Sequence, residues 1–231
     1  MMGIMRSIDP KYKDVDIARL DLRHKFLIEA NADAIRGNTV LDLASHDGRW
    51  AYAFAGAGAS RVVGIEARPE LVQNFKNFPD SPERRKIELT QGDIFDALEK
   101  MARDGSHFDV VGVLGIYYHI MDHYRLLRLV SRLTPRLIII DSEFMDAKWP
   151  YIAISLENPE KDVNSIATEG EKMVPVGIPS RAALEKMAGS LNYDVHWADW
   201  NAVAAKDRQP VAYYFRPGEK RRFTCVLRPK A

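Results

Sequence analysis

The feature that most constrains this chain is an uninterrupted alternation of short apolar runs and helical stretches between Thr39 and Ile140. The runs are Thr39-Val-Leu-Asp-Leu43, Arg61-Val-Val-Gly-Ile65, Lys86-Ile-Glu-Leu-Thr90, Phe108-Asp-Val-Val-Gly-Val-Leu114 and Arg136-Leu-Ile-Ile-Ile140. Between them lie a helical stretch ending near Gly56, a proline-opened helix from Pro69 to Phe78, and helices at Ile94 to Arg103 and Tyr124 to Leu133. Strands that lose polar alternation are buried on both faces, and parallel neighbours need crossover helices. These two facts predict a doubly wound α/β fold with a mainly parallel sheet.

Around this alternation the pattern changes. Residues 15–36 place Ile17, Leu20, Leu22, Phe26, Leu27, Ala30 and Ala34 at mostly helical spacing, with Gly37-Asn38 as a stop, so a helix leads in. Periodicity fades from Glu143 to Ile178, a stretch holding Pro150, Pro159 and Pro175, with Pro179 just beyond. So long an irregular stretch inside one domain reads as an insertion or lid over the sheet. Ser180 can cap a helix to about Gly189, and Tyr193-Asp-Val-His-Trp197 and Arg222-Phe-Thr-Cys-Val-Leu227 read as final strands forming an edge hairpin. The expectation is one domain over residues 1–231 with a Rossmann-like, seven-stranded sheet and an antiparallel C-terminal edge strand.

Composition narrows the functional classes. Thirty-three Lys+Arg against thirty-two Asp+Glu leave a formal charge of +1, so no global field draws the chain to nucleic acid or membrane. Cys225 is the single cysteine, which excludes an intramolecular disulfide and a thiolate cage and fits a reducing compartment. Met1 to Pro10 lack a signal-peptide apolar region and no stretch reaches a membrane span, so a cytoplasmic protein is expected.

In open α/β sheets, ligands bind beyond the carboxyl ends of the strands. There this chain places Asp42-Leu-Ala-Ser-His-Asp-Gly48, then Glu66, Gln91-Gly-Asp-Ile94 and Gly115-Ile-Tyr-Tyr-His119. Over about residues 15–141 this order and spacing resembles the class I S-adenosylmethionine-dependent methyltransferases. The resemblance implies that Asp42 orients the loop Ala44, Ser45, His46 and Gly48 at the methionine end of S-adenosylmethionine. It implies further that Glu66 accepts both ribose hydroxyls, that Asp93, after Gly92, accepts from the adenine amino group, and that Ile94 packs on the ring. Leu114 and Gly115 would lie along the methionine chain. Taken singly, Asp42 and Gly48 could be turn residues, Glu66 a strand end and Asp93 a helix N-cap. The chain departs from the family where Ala44 and His46 replace glycines, and His46 adds bulk where a ligand should approach. The absence of a Gly-x-Gly-x-x-Gly hexad argues against a nicotinamide enzyme.

For the acceptor, His119 after strand four has a suitable pKa for a general base; pairing with Asp122 or helix capping are its other readings, and His123 is placed on a helix face. Asp141 and Glu143, read as following strand five and pointing to one side, could hold a magnesium ion, or Asp141 could orient His119. Arg216, Lys220, Arg221, Arg222, Arg228 and Lys230 keep open an RNA-methylating reading, although they also suit an edge hairpin. Tyr117-Tyr-His119 looks like small-molecule enzymes, and the whole resembles actinobacterial sugar O-methyltransferases. The expected activity is methyl transfer to a hydroxyl of a small molecule such as a carbohydrate, with no nucleic-acid or membrane partner and a homodimer allowed. A non-catalytic adenosine-binding protein is the alternative from another class. Trp149, Tyr151, Trp197 and Trp200 read as half-buried core, with stacking on a sugar face as their second reading.

Overall fold

The computed structural model describes residues 14–161, 164 and 170–230. The readings made of Met1 to Pro10, and of residues 162, 163 and 165–169 within the expected lid, lie outside the described residues. Helix α1 (Asp14–Leu27) and a short α2 (Ala32–Ile35) lead into β1 (Thr39–Leu43) and α3 (Arg49–Gly56). Next come β2 (Arg61–Glu66), α4 (Pro69–Asn74), β3 (Ile87–Gln91), α5 (Ile94–Arg103), β4 (Val110–Leu114), α6 (His123–Ser131) and β5 (Leu137–Met145). The chain continues through β6 (Ile152–Glu157), β7 (Val174–Pro179), α7 (Arg181–Ser190), β8 (Tyr193–Trp197) and β9 (Lys220–Pro229).

The main sheet has seven strands in the order β3-β2-β1-β4-β5-β9-β8. β1 to β5 pair in parallel, whereas β9 runs antiparallel to both β5 and β8. The doubly wound, Rossmann-like fold with a C-terminal antiparallel strand is as expected; that strand, β9, lies one place in from the edge, between β5 and the edge strand β8. Because side chains alternate across a strand, Val40, Val62, Val110 and Ile139 pack with Leu20, Leu27, Trp50 and Phe54 on one face. Leu41, Val63, Val111 and Ile138 pack with Leu98, Leu126 and Leu184 on the other. Chain order reverses between β1 and β4, so the loops after these strands part and open a crevice there.

Three expectations need correction. β5 is nine residues long, so Asp141 and Glu143 lie inside it, paired with Thr224 and Arg222 of β9, and do not follow its end. The stretch from Glu143 to Ile178 is not irregular throughout, since β6 and β7 form a separate antiparallel pair. Extended β-branched residues such as Ile152, Ile154 and Val176 explain why strand wins there despite the prolines. Of the four aromatic residues, Trp200 is buried and stacks between Phe26 and Tyr214, but Trp149 is 80% exposed. Among the described residues no helix is long and apolar enough to cross a membrane.

Candidate active site

The crevice holds a cavity of about 850 Å3 at the carboxyl ends of the parallel strands. Ala44, Glu66, Asp93, Ile94, Leu114 and His119 all line it. A second cavity of the same volume lies away from the strand ends, between α1 and the segment joining β8 to β9, lined by Leu22, Phe26, Ala202 and Val203 among others.

The loop after β1 takes the backbone path that glycines would give it. Ala44 and His46 have φ of 53° and 55°, and Gly48, which opens α3, has φ of 85°. Every second residue is therefore left-handed, and the two non-glycine positions carry strain of about 1–2 kcal/mol each. Hydrogen bonds hold this path: Ser45 N–H donates to Ile65 O at 2.9 Å and Ser45 Oγ to Asp42 O at 2.7 Å. His46 N–H donates to Glu66 Oε2 at 2.8 Å, and Arg68 N–H to Oε1 at 3.0 Å. Glu66 is thus fixed by two backbone amides at the end of β2. His46 also lines the cavity, and its ring lies beside Arg49 and Asp47, 38% exposed.

Asp42, Ser45, Gly48 and Gly92 do not line the cavity and act behind it. Asp42 is buried in β1 with Oδ2 unpartnered, and burial pushes its carboxyl up to about 8. At Gly48 a Cβ would lie 2.6 Å from the Phe75 ring, so only glycine fits. Gly92 N–H donates to Glu66 O at 2.9 Å. Asp93 does cap α5, accepting from Phe95 and Asp96 N–H, but both bonds use Oδ1 and the residue still faces the cavity.

Across the cavity, a 3-10 turn (Tyr117–His119) follows β4 and presents His119. Its Nδ1 lies 2.7 Å from Glu157 Oε2, contributed by β6, and both side chains are largely buried. With Glu157 as the acceptor of this contact, Nδ1 is its donor, the tautomer that would make Nε2 the basic nitrogen. Neither Asp122 nor Asp141 is that partner. The hairpin is docked by Gly177, whose N–H donates to Ile120 O at 2.9 Å and whose C=O accepts from His123 Nε2 at 3.1 Å. A Cβ at Gly177 would come within 2.6 Å of the His123 ring, so the close approach requires glycine. His123 is buried under this strand and not on an open helix face, and burial lowers its pKa.

The residues expected to bind magnesium do not fit the ion. Asp141 is fully buried; its Oδ2 accepts from Arg23 and Arg222, and Oδ1 from Tyr214 at 2.7 Å and Thr224 at 2.8 Å. Burial alone would raise its pKa, but the two guanidinium charges outweigh it and hold the carboxyl at about 2. Glu143 is paired with Lys220 at 3.0 Å and Arg216 at 3.8 Å. Guanidinium and ammonium groups occupy the positions a cation would need, and among the described residues no group of three carboxylates, histidines or cysteines could hold a metal. Of the C-terminal cations, Arg216 and Lys220 share Glu143, Arg221 is bound to Asp146 at 2.5 Å and Lys230 lies 4.0 Å from Asp194.

Sequence reasoning missed Glu157, Arg23 and Arg222 as site residues. No local motif marks the first two, and Arg222 was visible only as one of several cations near the C-terminus.

Residues 40–136 match the model of a methyltransferase domain family. No curated protein matches the chain significantly in sequence. Among solved structures, the N-terminal domain of EvdMO1, crystallised in the presence of S-adenosylhomocysteine and D-fucose, shares 18% identity at a TM-score of 0.63, covering 95% of this chain and 84% of that one. An S-adenosylmethionine-dependent methyltransferase from Mesorhizobium loti shares 15% identity at 0.64, covering 93% of this chain and 99% of its own. A 1,6-didemethyltoxoflavin N1-methyltransferase from Burkholderia thailandensis, bound to its substrate and S-adenosylhomocysteine, shares 14% identity at 0.55, covering 93% and 79%.

Proposed function

We propose that this chain is a class I S-adenosylmethionine-dependent methyltransferase that methylates a hydroxyl of a small molecule and uses His119 as general base. The observation that carries this reading is the 2.7 Å contact with Glu157 made by His119, which lines the same cavity as Glu66, Asp93 and Ile94. An amine acceptor loses its proton readily once alkylated, whereas a hydroxyl gains much more from a base placed beside it.

Glu66, with its carboxylate aimed by the amides of His46 and Arg68, would take the ribose hydroxyls. Asp93 would accept from the adenine amino group, with Ile94 against the ring; the loop at Ala44 to Gly48 and Leu114 would flank the methionine chain. When bound, S-adenosylmethionine supplies a methyl group already activated on a sulfonium. The chain then has two tasks: to hold the acceptor in line and to remove its proton. His119 Nε2 takes that proton, and Glu157, hydrogen-bonded to Nδ1, fixes the tautomer and stabilises the resulting imidazolium. A sugar acceptor is supported by the D-fucose present with the EvdMO1 domain.

Calorimetry with S-adenosylhomocysteine tests the donor half. Binding is expected in the wild type, and Glu66→Ala, which leaves two ribose hydroxyls unpaired, should weaken it about tenfold or more. Unchanged affinity in that variant would remove Glu66 from the donor site. Transfer of labelled methyl to a panel of sugars, phenols, amines and RNA tests the acceptor half, with hydroxyl compounds expected as the products.

A further inference from the structure

We infer that the acceptor carries an oxyanion, a carboxylate or phosphate, held by Arg222 and Arg23 beside the hydroxyl to be methylated. This deepens the reading of the cavity as a hydroxyl-methylating site and rests on it. Arg23 comes from α1 and Arg222 from β9; both line the cavity and both side chains are 12% exposed. They share a single carboxylate, Asp141, which is itself fully buried. Two guanidinium charges against one carboxylate leave one positive charge over. Asp141 takes Nε and Nη2 of Arg23 and Nε of Arg222, and its backbone oxygen takes Nη2 of Arg222; Arg222 also donates to the Tyr118 hydroxyl, and Nη1 of Arg23 is not used by Asp141.

The other cations of the cavity are better matched. Arg19 pairs with Asp16 at 2.9 Å, Arg49 with Asp47 at 2.7 Å, and Arg125 with Glu99 at 2.7 Å and Asp122 at 3.6 Å. Arg68 donates to the carbonyls of Lys161 and Asn164. Those carbonyls leave the charge of Arg68 in place beside Glu66, and the surplus on the side of the base falls at Arg23 and Arg222. Arg222 Cζ lies 5.8 Å from the centre of the Tyr118 ring, and that ring is 3.8 Å from the ring of His119. Guanidinium forks match carboxylate and phosphate in shape, and in a partly desolvated cavity the surplus charge strongly favours an anionic ligand over a neutral one. The methionine carboxylate of the donor has the same chemistry, so the test separates the two sources.

The full-length protein, saturated with S-adenosylhomocysteine, is titrated by calorimetry with two matched pairs: 3,4-dihydroxybenzoate against catechol, and glucuronate against glucose. In at least one pair the anionic member is expected to bind tenfold or more tightly than the neutral one. Arg222→Gln should erase that preference and change the affinity for S-adenosylhomocysteine less than twofold; Arg222→Lys, which keeps the charge but not the fork, should retain part of it. Equal or weaker binding of the anionic member in both pairs, or no binding by either anion, overturns the inference, and the wild-type comparison decides this even if the variants fail to fold. A large loss of S-adenosylhomocysteine affinity in Arg222→Gln with an unchanged probe preference assigns Arg222 to the donor and overturns it as well. Failure of the wild type to bind S-adenosylhomocysteine refutes the methyltransferase reading instead, and the same pairs then test the oxyanion site in the free protein.

Discussion

The two sides of the cavity are built in different ways. The donor side is assembled from near neighbours: Glu66 holds His46 across 20 residues, and Arg68 across two. The acceptor side is assembled from distant pieces: His119 meets Glu157 across 38 residues, Arg222 meets Asp141 across 81, and Arg23 meets it across 118. The first can be rebuilt wherever a parallel sheet forms. The second exists only when α1, the β6–β7 hairpin and β9 have all docked, so it can diverge in chemistry without disturbing the sheet.

If that division is sound, breaking the acceptor side should spare donor binding. His119→Ala is expected to lose about 10²–10⁴-fold in kcat, with calorimetric affinity for S-adenosylhomocysteine unchanged. Glu157→Gln keeps the shape but weakens the hold on Nδ1, and should lose less than His119→Ala while shifting the pH profile of kcat. A fall in donor affinity with either variant would show that the two sides are one unit.

A comparable effect on stability is expected at Asp141. Its replacement by alanine leaves Arg23 and Arg222 partly buried without their carboxylate, at a cost of about 3–5 kcal/mol, measurable as a lower urea midpoint. The pH dependence should then separate the two sides by sign. Asp141 is held at about 2, below its unfolded value, so its contribution is complete above that unfolded value and is lost as the pH falls through about 2. Asp42 is raised to about 8, so the folded state keeps a proton that the unfolded state gives up. Its effect is to lower stability as pH rises from roughly 4 to about 8, by at most about 1.4 kcal/mol per unit. Denaturant titrations across that range should show the slope flattened in Asp42→Asn and retained in Asp141→Ala.

The same division explains what could be read beforehand. The parallel sheet was legible because its inner strands are mainly apolar runs, with β3 alternating at the edge, and each crossover has its own helical period. Glu66 and Asp93 were legible because they close consecutive strands at regular spacing. The β6–β7 hairpin was hidden by its outward apolar stripe, Ile152, Ile154 and Leu156, and by prolines, which together give neither clean alternation nor a helical period. Asp141 was misjudged because pairing with β9 extends β5 past Ile140 and turns an apparent loop carboxylate into a buried one. A long-range ion pair leaves no mark on either local sequence, and Arg23 sits in a helix whose charged and apolar residues are intermixed, like any surface arginine.

The smallest predicted effects test the donor side through its backbone alone. Gly48 has φ of 85° and its missing Cβ would meet Phe75 at 2.6 Å, so Gly48→Ala should destabilise the protein by about 1–2 kcal/mol or more. Ala44 has φ of 53°, a conformation in which its Cβ costs about 1–2 kcal/mol, while glycine costs about 0.4–1 kcal/mol through the freedom of the unfolded chain. The balance favours Ala44→Gly by about 0.5–1 kcal/mol, read as a raised melting temperature with donor affinity preserved. Opposite signs at two positions four residues apart would show that the loop keeps a glycine path after losing its glycines. A lowered melting temperature in Ala44→Gly would mean instead that the alanine methyl makes packing contacts worth more than the strain it carries.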